Sequence, residues 1–537
     1  MSIMLIRPPY VQTSCDQQFQ EPLNLCYLTA VLRREGFDVT LVDAEFCDLT
    51  AEKILQRIAD DSPALIGISL MSDGGLAGTL RIVEGIRQWA APQAHVTVGG
   101  HFVTFNTEHL LRLSPGIDSA VLYEGENVIA DLASRVLSRK GDWRETLGIV
   151  FVTNGDGAAL HRTEKAPPIT NLDLLPFPAR DFLPKAIQLG LSPAILSSRG
   201  CSGRCSFCTI HDFVRQASGR PWRGRSPQNV LKEIMALVDN FHVGEIGFLD
   251  DDFIGTRTEG RQRAMAFADM LMRSGLDVIY NFECRPDMVD RDLFARLRDS
   301  GLRYVFLGVE AIGETALKAF NKGTTRQTAC RALDILTEVG VEADVGFILY
   351  HPYATMDEVW EGYQFLKQYG QCDVHTALNR LFVVPGAPIR QRLQEAGRLM
   401  VTSGQTCLQA EDYDYADRRV GVLHAILQVA ILPLFADWYN AIKEFRRLAA
   451  QRKFDPQPHQ TDQRLAQLRD CIKGVDRVVE RSFEEAFSYA MGSERSGLDM
   501  LQFSRRLRDQ ASDDVRLSAK SEVCDTCLTQ REEDRRP

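Results

Sequence analysis

Three closely spaced cysteines, Cys201, Cys205 and Cys208, are the residues of this sequence best suited to hold a metal cluster. Their C-x3-C-x2-C spacing lets three thiolates converge on three corners of a four-iron, four-sulfur cluster. Because such clusters normally take four cysteine ligands, a set of three leaves one iron open for an outside ligand. Gly200 and Gly203 allow the backbone to turn tightly around the sulfurs. The spacing therefore predicts a cluster with one open coordination position.

Two simpler interpretations of the cysteines are a structural zinc site and three unrelated buried thiols. Zinc would require a fourth ligand from a second cysteine pair or a Cys/His pair at regular spacing, and none follows nearby. The loop also follows directly after a predicted strand, Ala194–Ser198, where the active-site loops of parallel α/β barrels lie. Both observations favour the cluster.

Polar and acidic residues close the predicted strands that follow the cysteine loop. The strand-end residues are Asp250, Asp251, Asp252, Glu283, Arg285 and Glu310, and the apolar Ile348 lies within the fifth predicted strand. Each alone is a weak signal, since acidic residues often end strands as helix caps. Taken in order, and with Phe207 just before the last cysteine, they resemble the site of the radical S-adenosylmethionine (SAM) superfamily. The resemblance covers residues 190–390.

This resemblance implies a mechanism and a set of contacts. In that superfamily the open iron binds the amino and carboxylate groups of SAM, and an electron from the cluster cleaves SAM to a radical that abstracts a substrate hydrogen. Phe207 and the strand-end residues are then expected to contact SAM, with Gly346–Pro352 beside the adenine, although a glycine is usual where Tyr350 stands. Tyr350, His351 and Phe382 are candidates for substrate contacts or for simple packing. A reducing donor of the ferredoxin or flavodoxin type is also implied.

The first part of the chain carries a second set of loop residues near predicted strand and helix ends. They are Pro9, Leu23, Ser69, Met71, Ser72, Gly99, Gly100, His101, Glu124, Gly125 and Glu126. The pattern resembles the cobalamin-binding domain fused to many radical SAM enzymes, which implies cobalamin contacts at these positions. The D-x-H-x-x-G motif that ligates cobalt in other B12 proteins is absent, so His101 is not assigned as a ligand. The alternative is a Rossmann-like domain without a cofactor.

Two series of alternating strands and helices must position these residues. The first series has strands at Ser2–Ile6, Asp38–Val42, Ala64–Leu70, Val96–Val98 and Ser119–Leu122, and helices at Leu23–Glu35, Ala51–Asp60 and Ala77–Trp89. The second series has six strands, at Ala194–Ser198, Glu245–Leu249, Val278–Cys284, Tyr304–Val309, Ala343–Tyr350 and Thr376–Val384. Such alternation predicts parallel sheets that bind ligands beyond the carboxyl ends of their strands.

The chain of 537 residues is too long for one core. We predict an α/β protein with a Rossmann-like (flavodoxin-like) cobalamin-binding domain over residues 1–145, a linker over 146–190, a partial (β/α)6 radical SAM barrel over 191–395 and a mostly helical domain over 396–537. Inside the linker, Val150–Thr153 and Ala158–Arg162 are expected to pair as a hairpin around Asn154–Gly157.

Composition narrows the class of protein. The net charge of −10 argues against a general nucleic-acid binder. Thirteen cysteines and no export signal indicate reduced thiols and a cytoplasmic protein. The apolar stretch Val420–Phe435 is too short to span a membrane and predicts a buried helix. Cys524 and Cys527 form a C-x-x-C pair that could bind an auxiliary metal or stay as free thiols.

The resemblance favours a cobalamin-dependent radical SAM methyltransferase. One SAM would methylate the cobalamin, a second would generate the radical, and the methyl group would pass to an unactivated carbon or phosphorus of a small-molecule or peptide substrate. An alternative keeps the radical but produces a cyclisation, rearrangement or oxidation. A third hypothesis, a non-enzymatic cobalamin- or metal-binding protein, does not account for the ordered strand ends.

Overall fold

A twisted parallel sheet with two added antiparallel strands forms the first part of the molecule. The computed structural model describes residues 2–10, 21–138, 141–153, 159–400, 412–451, 458–492 and 497–519. The strands of this sheet are β1 (Ile3–Arg7), β2 (Val39–Asp43), β3 (Leu65–Ser69), β4 (His95–Gly99), β5 (Ser119–Val121), β6 (Ile149–Val152) and β7 (Leu160–Arg162). They lie in the order β2-β1-β3-β4-β5-β6-β7, and β1 to β5 are parallel.

The order 2-1-3-4-5 of the parallel strands is that of flavodoxin-like folds, so the predicted architecture is confirmed. It places a switch point between β1 and β3, where such sheets open a crevice at the carboxyl ends of their strands. The helices around the sheet are α1 (Leu23–Arg34), α2 (Ala44–Cys47), α3 (Ala51–Asp61), α4 (Leu76–Gly85), α5 (His101–Leu113) and α6 (Glu126–Ser138).

Two features of this part were not predicted. Helices α5 and α6 begin directly at His101 and Glu126, in segments that the sequence indicated only as loops. The predicted hairpin is present as the antiparallel pair β6 and β7, but it continues the first sheet because β6 pairs with β5. The linker over 146–190 therefore contains two strands of that sheet. Its turn, residues 154–157, lies outside the described residues.

A second parallel sheet follows. Its strands are β8 (Ala194–Ile195), β11 (Glu245–Phe248), β12 (Ile279–Cys284), β13 (Leu302–Glu310) and β14 (Glu342–Phe347), and a separate ribbon pairs β9 (Ser198–Gly200) with β10 (Trp222–Gly224). The helices here are α7 (Leu183–Gln188), α8 (Ile210–Ser218), α9 (Pro227–Phe241), α10 (Glu259–Ser274), α11 (Arg291–Asp299), α12 (Glu314–Ala319), α13 (Arg326–Val339), α14 (Met356–Gln368), α15 (Val374–Leu378) and α16 (Pro388–Glu395). The order β8-β11-β12-β13-β14 is that of a partial barrel.

The predicted sixth barrel strand over Thr376–Val384 is present only in its second half, because its first residues are helical. Asp373 and Thr376 form a capping box in which each side chain bonds the other's backbone, and this pair starts helix α15. After the helix, Arg380 forms a parallel bridge with Tyr350, and Val383 also lies in a bridge. The barrel therefore has five paired strands and an irregular sixth segment.

The C-terminal part is mostly helical, as predicted. It contains β15 (Leu399–Met400), β16 (Asp412–Tyr413), α17 (Arg418–Ile431), α18 (Phe435–Gln451), α19 (Pro458–Met491) and α20 (Gly497–Ala519). By length and composition, Arg418–Ala449 is the one run among the described residues that is apolar enough to cross a membrane. Here Val420, Leu423 and Leu427 are fully buried and share one apolar core with the barrel. Helix α17 therefore packs into the core, as predicted for Val420–Phe435.

Candidate active site and cofactor cavity

The cysteine loop begins where strand β9 ends. Gly200 has a φ of +90°, and a Cβ atom there would lie 2.1 Å from the carbonyl oxygen of Pro221, so only glycine fits. The backbone N–H of Gly200 donates to Asp251 Oδ2 at 2.9 Å. The strand end thus holds the first part of the loop in place.

The middle of the loop is held by two distant segments through one residue, Ser206. Its backbone N–H donates to the Phe320 carbonyl and its hydroxyl to the Ala319 carbonyl, both at 2.7 Å. Its own carbonyl accepts a hydrogen bond of 2.7 Å from the N–H of Ile389. These bonds join the loop to the C-terminal end of α12 and the start of α16.

The three sulfur atoms lie among hydrogen-bond donors. The N–H groups of Gly203 and Ile210 point at the Sγ atoms of Cys201 and Cys208, at 3.3 and 3.5 Å. Arg285 Nη1 lies 3.7 Å from Cys205 Sγ. Such donors stabilise sulfur that carries negative charge, as in a thiolate-bound cluster.

Burial opposes ionisation of the free thiols, whereas the hydrogen-bond donors favour it. Burial raises the pKa of Cys208 to about 11 and that of Cys201 further still, where the Asp252 carboxylate adds to the effect of burial. Cys201 and Cys208 therefore stay protonated at neutral pH and must lose their protons when metal binds. Among the described residues, no three His, Cys, Asp or Glu side chains converge on a single metal ion. The hydrogen-bond donors around the sulfur atoms fit an anionic cluster.

The three consecutive aspartates after β11 have separate environments. Asp250 is fully buried, and its carboxylate accepts hydrogen bonds from the Ser197 hydroxyl at 2.7 Å and from the Ser198 N–H. Asp252 is also buried; it accepts the Gly255 N–H at 3.0 Å, and its Oδ2 lies 3.6 Å from Cys201 Sγ. Asp251 lines the cavity described below. Of the three aspartates, Asp251 is therefore the one that faces the cavity.

Two glutamates share the interior of the partial barrel with Asp251. Burial, Asp251 and Glu310 together raise the pKa of Glu283 to about 7. Glu310 ends β13 with a φ of +66°, a conformation that costs a residue other than glycine free energy. Lys322 Nζ approaches Glu310 Oε1 at 3.3 Å. This left-handed glutamate is the kind of outlier that clusters at functional sites.

An apolar wall lies beside the cysteine loop. Phe207 packs against Phe320 with ring centroids 5.3 Å apart, and both belong to one apolar cluster with Ile348. Tyr350 is fully buried and donates its hydroxyl to the Ala377 carbonyl at 3.0 Å, so it serves packing. His351 is buried against Phe320. Neither of these two residues lines the cavity between the domains.

A mostly apolar cavity of about 310 Å³ lies between the two sheets, within the size range of small-molecule sites. Eight of the residues predicted to bind cobalamin line it: Ser69, Met71, Gly99, Gly100, His101, Glu124, Gly125 and Glu126. The barrel contributes Leu196, Ser198, Arg199, Ile210, Phe213, Val214, Leu249 and Asp251. The carboxyl ends of both sheets thus face one space.

Three predicted cobalamin contacts are not in the cavity lining. Pro9 packs beside Gly78, where a Cβ would lie 2.6 Å from the Pro9 carbonyl oxygen. Ser72 bonds the Tyr10 hydroxyl, and Leu23 is buried at the start of α1. Residues of α8, among them Phe213, line the cavity but were not predicted from the sequence to do so. The signal for them was an amphipathic helix directly after Cys208.

Cobalamin also has to fit the floor of this cavity. Gly100 has a φ of +112°, and a Cβ there would lie 2.4 Å from the Leu70 carbonyl oxygen, so the turn requires glycine. At Gly99 and Gly125 a Cβ would meet nothing closer than 3.6 and 3.5 Å. Packing does not require glycine at Gly99 or Gly125. The absence of side chains at these two positions leaves the floor of the cavity open. Part of the cavity floor is therefore bare backbone that a ligand can approach closely.

Buried ion pairs join the two domains at the edge of the cavity. Arg199, two residues before Cys201, pairs with Glu126, and Arg223 pairs with Glu124. Burial raises the pKa of Glu126, but the charge of Arg199 outweighs this effect and holds the pKa below its ordinary value. These two glutamates, predicted as cobalamin contacts, thus link helix α6 and the loop before it to the barrel.

His101 provides a further link between the domains. Its Nε2 lies 3.0 Å from Thr209 Oγ1, and its ring packs 5.0 Å from that of Phe213. Burial lowers the pKa of His101 to about 4, so the imidazole is neutral at physiological pH. Two other cysteines in the described chain, Cys26 and Cys284, are buried in apolar cores. Cys15, Cys524 and Cys527 lie outside the described residues.

Comparison with known proteins supports both domains. Residues 13–133 match the B12 binding domain family, and residues 195–366 match the radical SAM superfamily. An uncharacterized methyltransferase of Pyrococcus horikoshii is 29% identical over 381 residues, 68% of this chain and 78% of its own. An anaerobic magnesium-protoporphyrin IX monomethyl ester cyclase of Rubrivivax gelatinosus is 27% identical over 384 residues, 69% of this chain and 66% of its own.

A solved structure shows the same fold. The cobalamin-dependent SAM radical enzyme OxsB, with aqua-cobalamin and SAM bound, superimposes with a TM-score of 0.74 at 19% identity, over 97% of this chain and 81% of its own. The two domains define the cofactors as a four-iron, four-sulfur cluster, SAM and cobalamin. The cysteine loop, the strand-end carboxylates and the shared cavity agree with this set. The chain therefore contains a B12-binding domain followed by a radical SAM domain and is a radical SAM enzyme.

Proposed function

We propose that the protein is a cobalamin-dependent radical SAM methyltransferase. The observation that carries this proposal is the single cavity lined by the strand ends of the B12-binding domain, by Asp251 and by helix α8, which follows Cys208 directly. A methyl group held by cobalamin and a radical formed at the cluster would then act on one substrate position. The relative described as a methyltransferase adds support.

We assign the roles of the site residues as follows. Cys201, Cys205 and Cys208 hold the cluster, and Arg285 compensates its negative charge. Phe207 and Ile348 form the apolar wall for the adenine, and the interior carboxylates Asp251, Glu283 and Glu310 accept the polar groups of SAM. Asp250 and Asp252 support the strand end from behind. When bound, the cluster and cobalamin supply the electron and the methyl group for transfer.

The chain itself positions these groups and keeps water out. Met71, His101 and Phe213 close the cavity with apolar or neutral surfaces, and the pairs Arg199–Glu126 and Arg223–Glu124 hold its two walls together. Exclusion of water protects a radical from side reactions. The substrate is a small molecule or peptide that reaches this cavity in the cytoplasm, and the reductant is a ferredoxin- or flavodoxin-type protein.

The first experiment uses enzyme purified without oxygen and reconstituted with iron, sulfide and hydroxocobalamin. With SAM and titanium(III) citrate, we expect bound cobalt and iron, 5′-deoxyadenosine from SAM cleavage, and S-adenosylhomocysteine from transfer of the SAM methyl group to reduced cobalamin. Cys205→Ala should lose 5′-deoxyadenosine and retain cobalt. Enzyme that binds cobalamin but forms no S-adenosylhomocysteine would contradict methyl transfer.

Cyclisation is the second candidate, because a relative of similar identity is described as a cyclase. It requires SAM cleavage without loss of the SAM methyl group. Formation of 5′-deoxyadenosine alone, under the same conditions, would therefore favour this candidate.

A further inference from the structure

An unusual charge distribution surrounds the outer side of the cysteine loop. Three segments meet there, residues 201–211, 315–328 and 385–394, through the hydrogen bonds of Ser206 and of Arg392, whose Nη1 donates to the Ala319 carbonyl at 3.1 Å. In a chain of net charge −10, these segments contain six Lys and Arg residues, against the three acidic residues that flank them, Asp212, Glu314 and Glu395. The six are Arg204, Lys318, Lys322, Arg326, Arg390 and Arg392.

Four of these residues, Arg204, Lys318, Arg326 and Arg392, are exposed, and we name them the cationic rim. Within the described chain, none of the four forms an ion pair with a carboxylate. Lys322 differs, since it is buried beside Glu310. The rim therefore presents positive charge that no carboxylate of the described chain neutralises through an ion pair.

The rim is also close to the cluster ligands. Arg204 directly precedes Cys205, and its carbonyl accepts a hydrogen bond of 2.8 Å from the side chain of Asn321. Arg285, beside Cys205 Sγ, donates to the Lys322 carbonyl at 2.8 Å, and the next residue, Gly323, is exposed. One layer of residues thus separates the exposed surface of the rim from the sulfur atom of Cys205.

The opposite side of the loop is closed to a protein partner. Thr209 contacts His101 of the first domain, and Phe213 on α8 lines the cofactor cavity. Within the described chain, the rim side brings an exposed surface close to the cluster ligands without crossing the cofactor cavity. Most of the surface would repel an acidic carrier because the net charge is −10, so a local cationic site both attracts and orients such a partner.

We infer that the cationic rim is the docking surface for an acidic one-electron carrier protein of the flavodoxin or ferredoxin type. The inference rests on the proposed function, which requires a reduced cluster. In the docked complex the donor is oxidised by one electron and the cluster is reduced by one, with no bond made or broken. Electron-transfer complexes of this type bury small interfaces and depend strongly on surface charge.

The test compares two double variants of the reconstituted enzyme. Lys318→Glu with Arg326→Glu reverses the rim, and Lys53→Glu with Lys232→Glu makes the same charge change at exposed positions on α3 and α9. We expect the rim variant to lose about tenfold in 5′-deoxyadenosine formation driven by reduced flavodoxin at low salt. Its rate with titanium(III) citrate should be unchanged, and the control variant should keep both rates.

Carbodiimide cross-linking gives a readout independent of activity. In wild type and in Cys205→Ala, we expect Lys318 to be linked to carboxylates of flavodoxin. A rim variant with an unchanged flavodoxin-driven rate, or cross-links confined to other lysines, would overturn the inference. Absence of 5′-deoxyadenosine with titanium(III) citrate in wild type would count against the proposed function instead, and the cross-links would still decide the docking surface.

Discussion

Gly99 and Gly100 are neighbours in the sequence, but the structure needs them for different reasons. Gly100 has a left-handed backbone and touches the Leu70 carbonyl, whereas Gly99 has only ordinary distances around a Cβ position. Gly100 therefore maintains the fold of the β4–α5 turn, and Gly99 keeps the cavity floor open. At the scale of single residues, a substitution can separate folding from cofactor binding.

We expect Gly100→Ala to lower the stability of the protein by about 1–3 kcal/mol, because a Cβ in this conformation is strained and would lie 2.4 Å from the Leu70 oxygen. Thermal unfolding measures this effect. Gly99→Ala is the matched control: its melting temperature should stay near that of wild type, while bound cobalt after reconstitution falls. Equal loss of stability in both variants would contradict the assignment.

At the scale of elements, the Glu126–Arg199 pair connects the start of α6 to the residue before Gly200. Both side chains are largely buried, at 6% and 15% exposure. We expect Glu126→Gln to cost about 2–3 kcal/mol in urea unfolding, because the buried guanidinium loses its main partner and keeps only Glu124 at 3.5 Å.

The control for this prediction is an exposed pair. Glu108 and Arg112 are 2.8 Å apart on α5 with 56% and 70% exposure, and Glu108→Gln should change stability by less than about 0.5 kcal/mol. If the two variants behave alike, the interdomain pair does not stabilise the fold.

Helix α19 carries a carboxyl group whose titration should be visible in stability. Burial, with Asp373, raises the pKa of Asp476 to about 7, while Trp438 donates to it at 3.2 Å. The unfolded value is near 3.9, so the folded state holds the extra proton and stability falls as pH rises from about 4 to 7. We expect Asp476→Asn to raise the melting temperature at pH 8 by roughly 2–4 °C and to have little effect near pH 5. A gain of the same size at both pH values would contradict this.

At the scale of the whole molecule, the cavity belongs to both sheets, so a ligand bound there stabilises their relative position. We expect hydroxocobalamin at about 100 times its dissociation constant to add about 2.7 kcal/mol to the folded state. Calorimetry of the cluster-free protein would show this as an upward shift of the unfolding transition. Gly99→Ala should reduce the shift. A shift limited to the first domain would mean that the barrel wall does not contact the ligand.

Local pattern in the sequence predicted much of this molecule. The C-x3-C-x2-C spacing, the two strand–helix series and the buried α17 all depend on residues close together in the chain, where periodicity and turn chemistry act directly. Eight predicted loop residues of the first domain also reach one cavity, because parallel strands bring their carboxyl ends to one edge.

Tertiary structure decided the remainder. Glu124 and Glu126 meet arginines from a different sheet, the capping box at Asp373 replaces the start of a predicted strand, and the cationic rim assembles from three segments far apart in the chain. Such contacts depend on how the domains pack, and spacing along one segment carries no information about them. The sequence by itself therefore determined which chemistry the chain can hold, while packing determined which residues line the cavity and which hold the domains together.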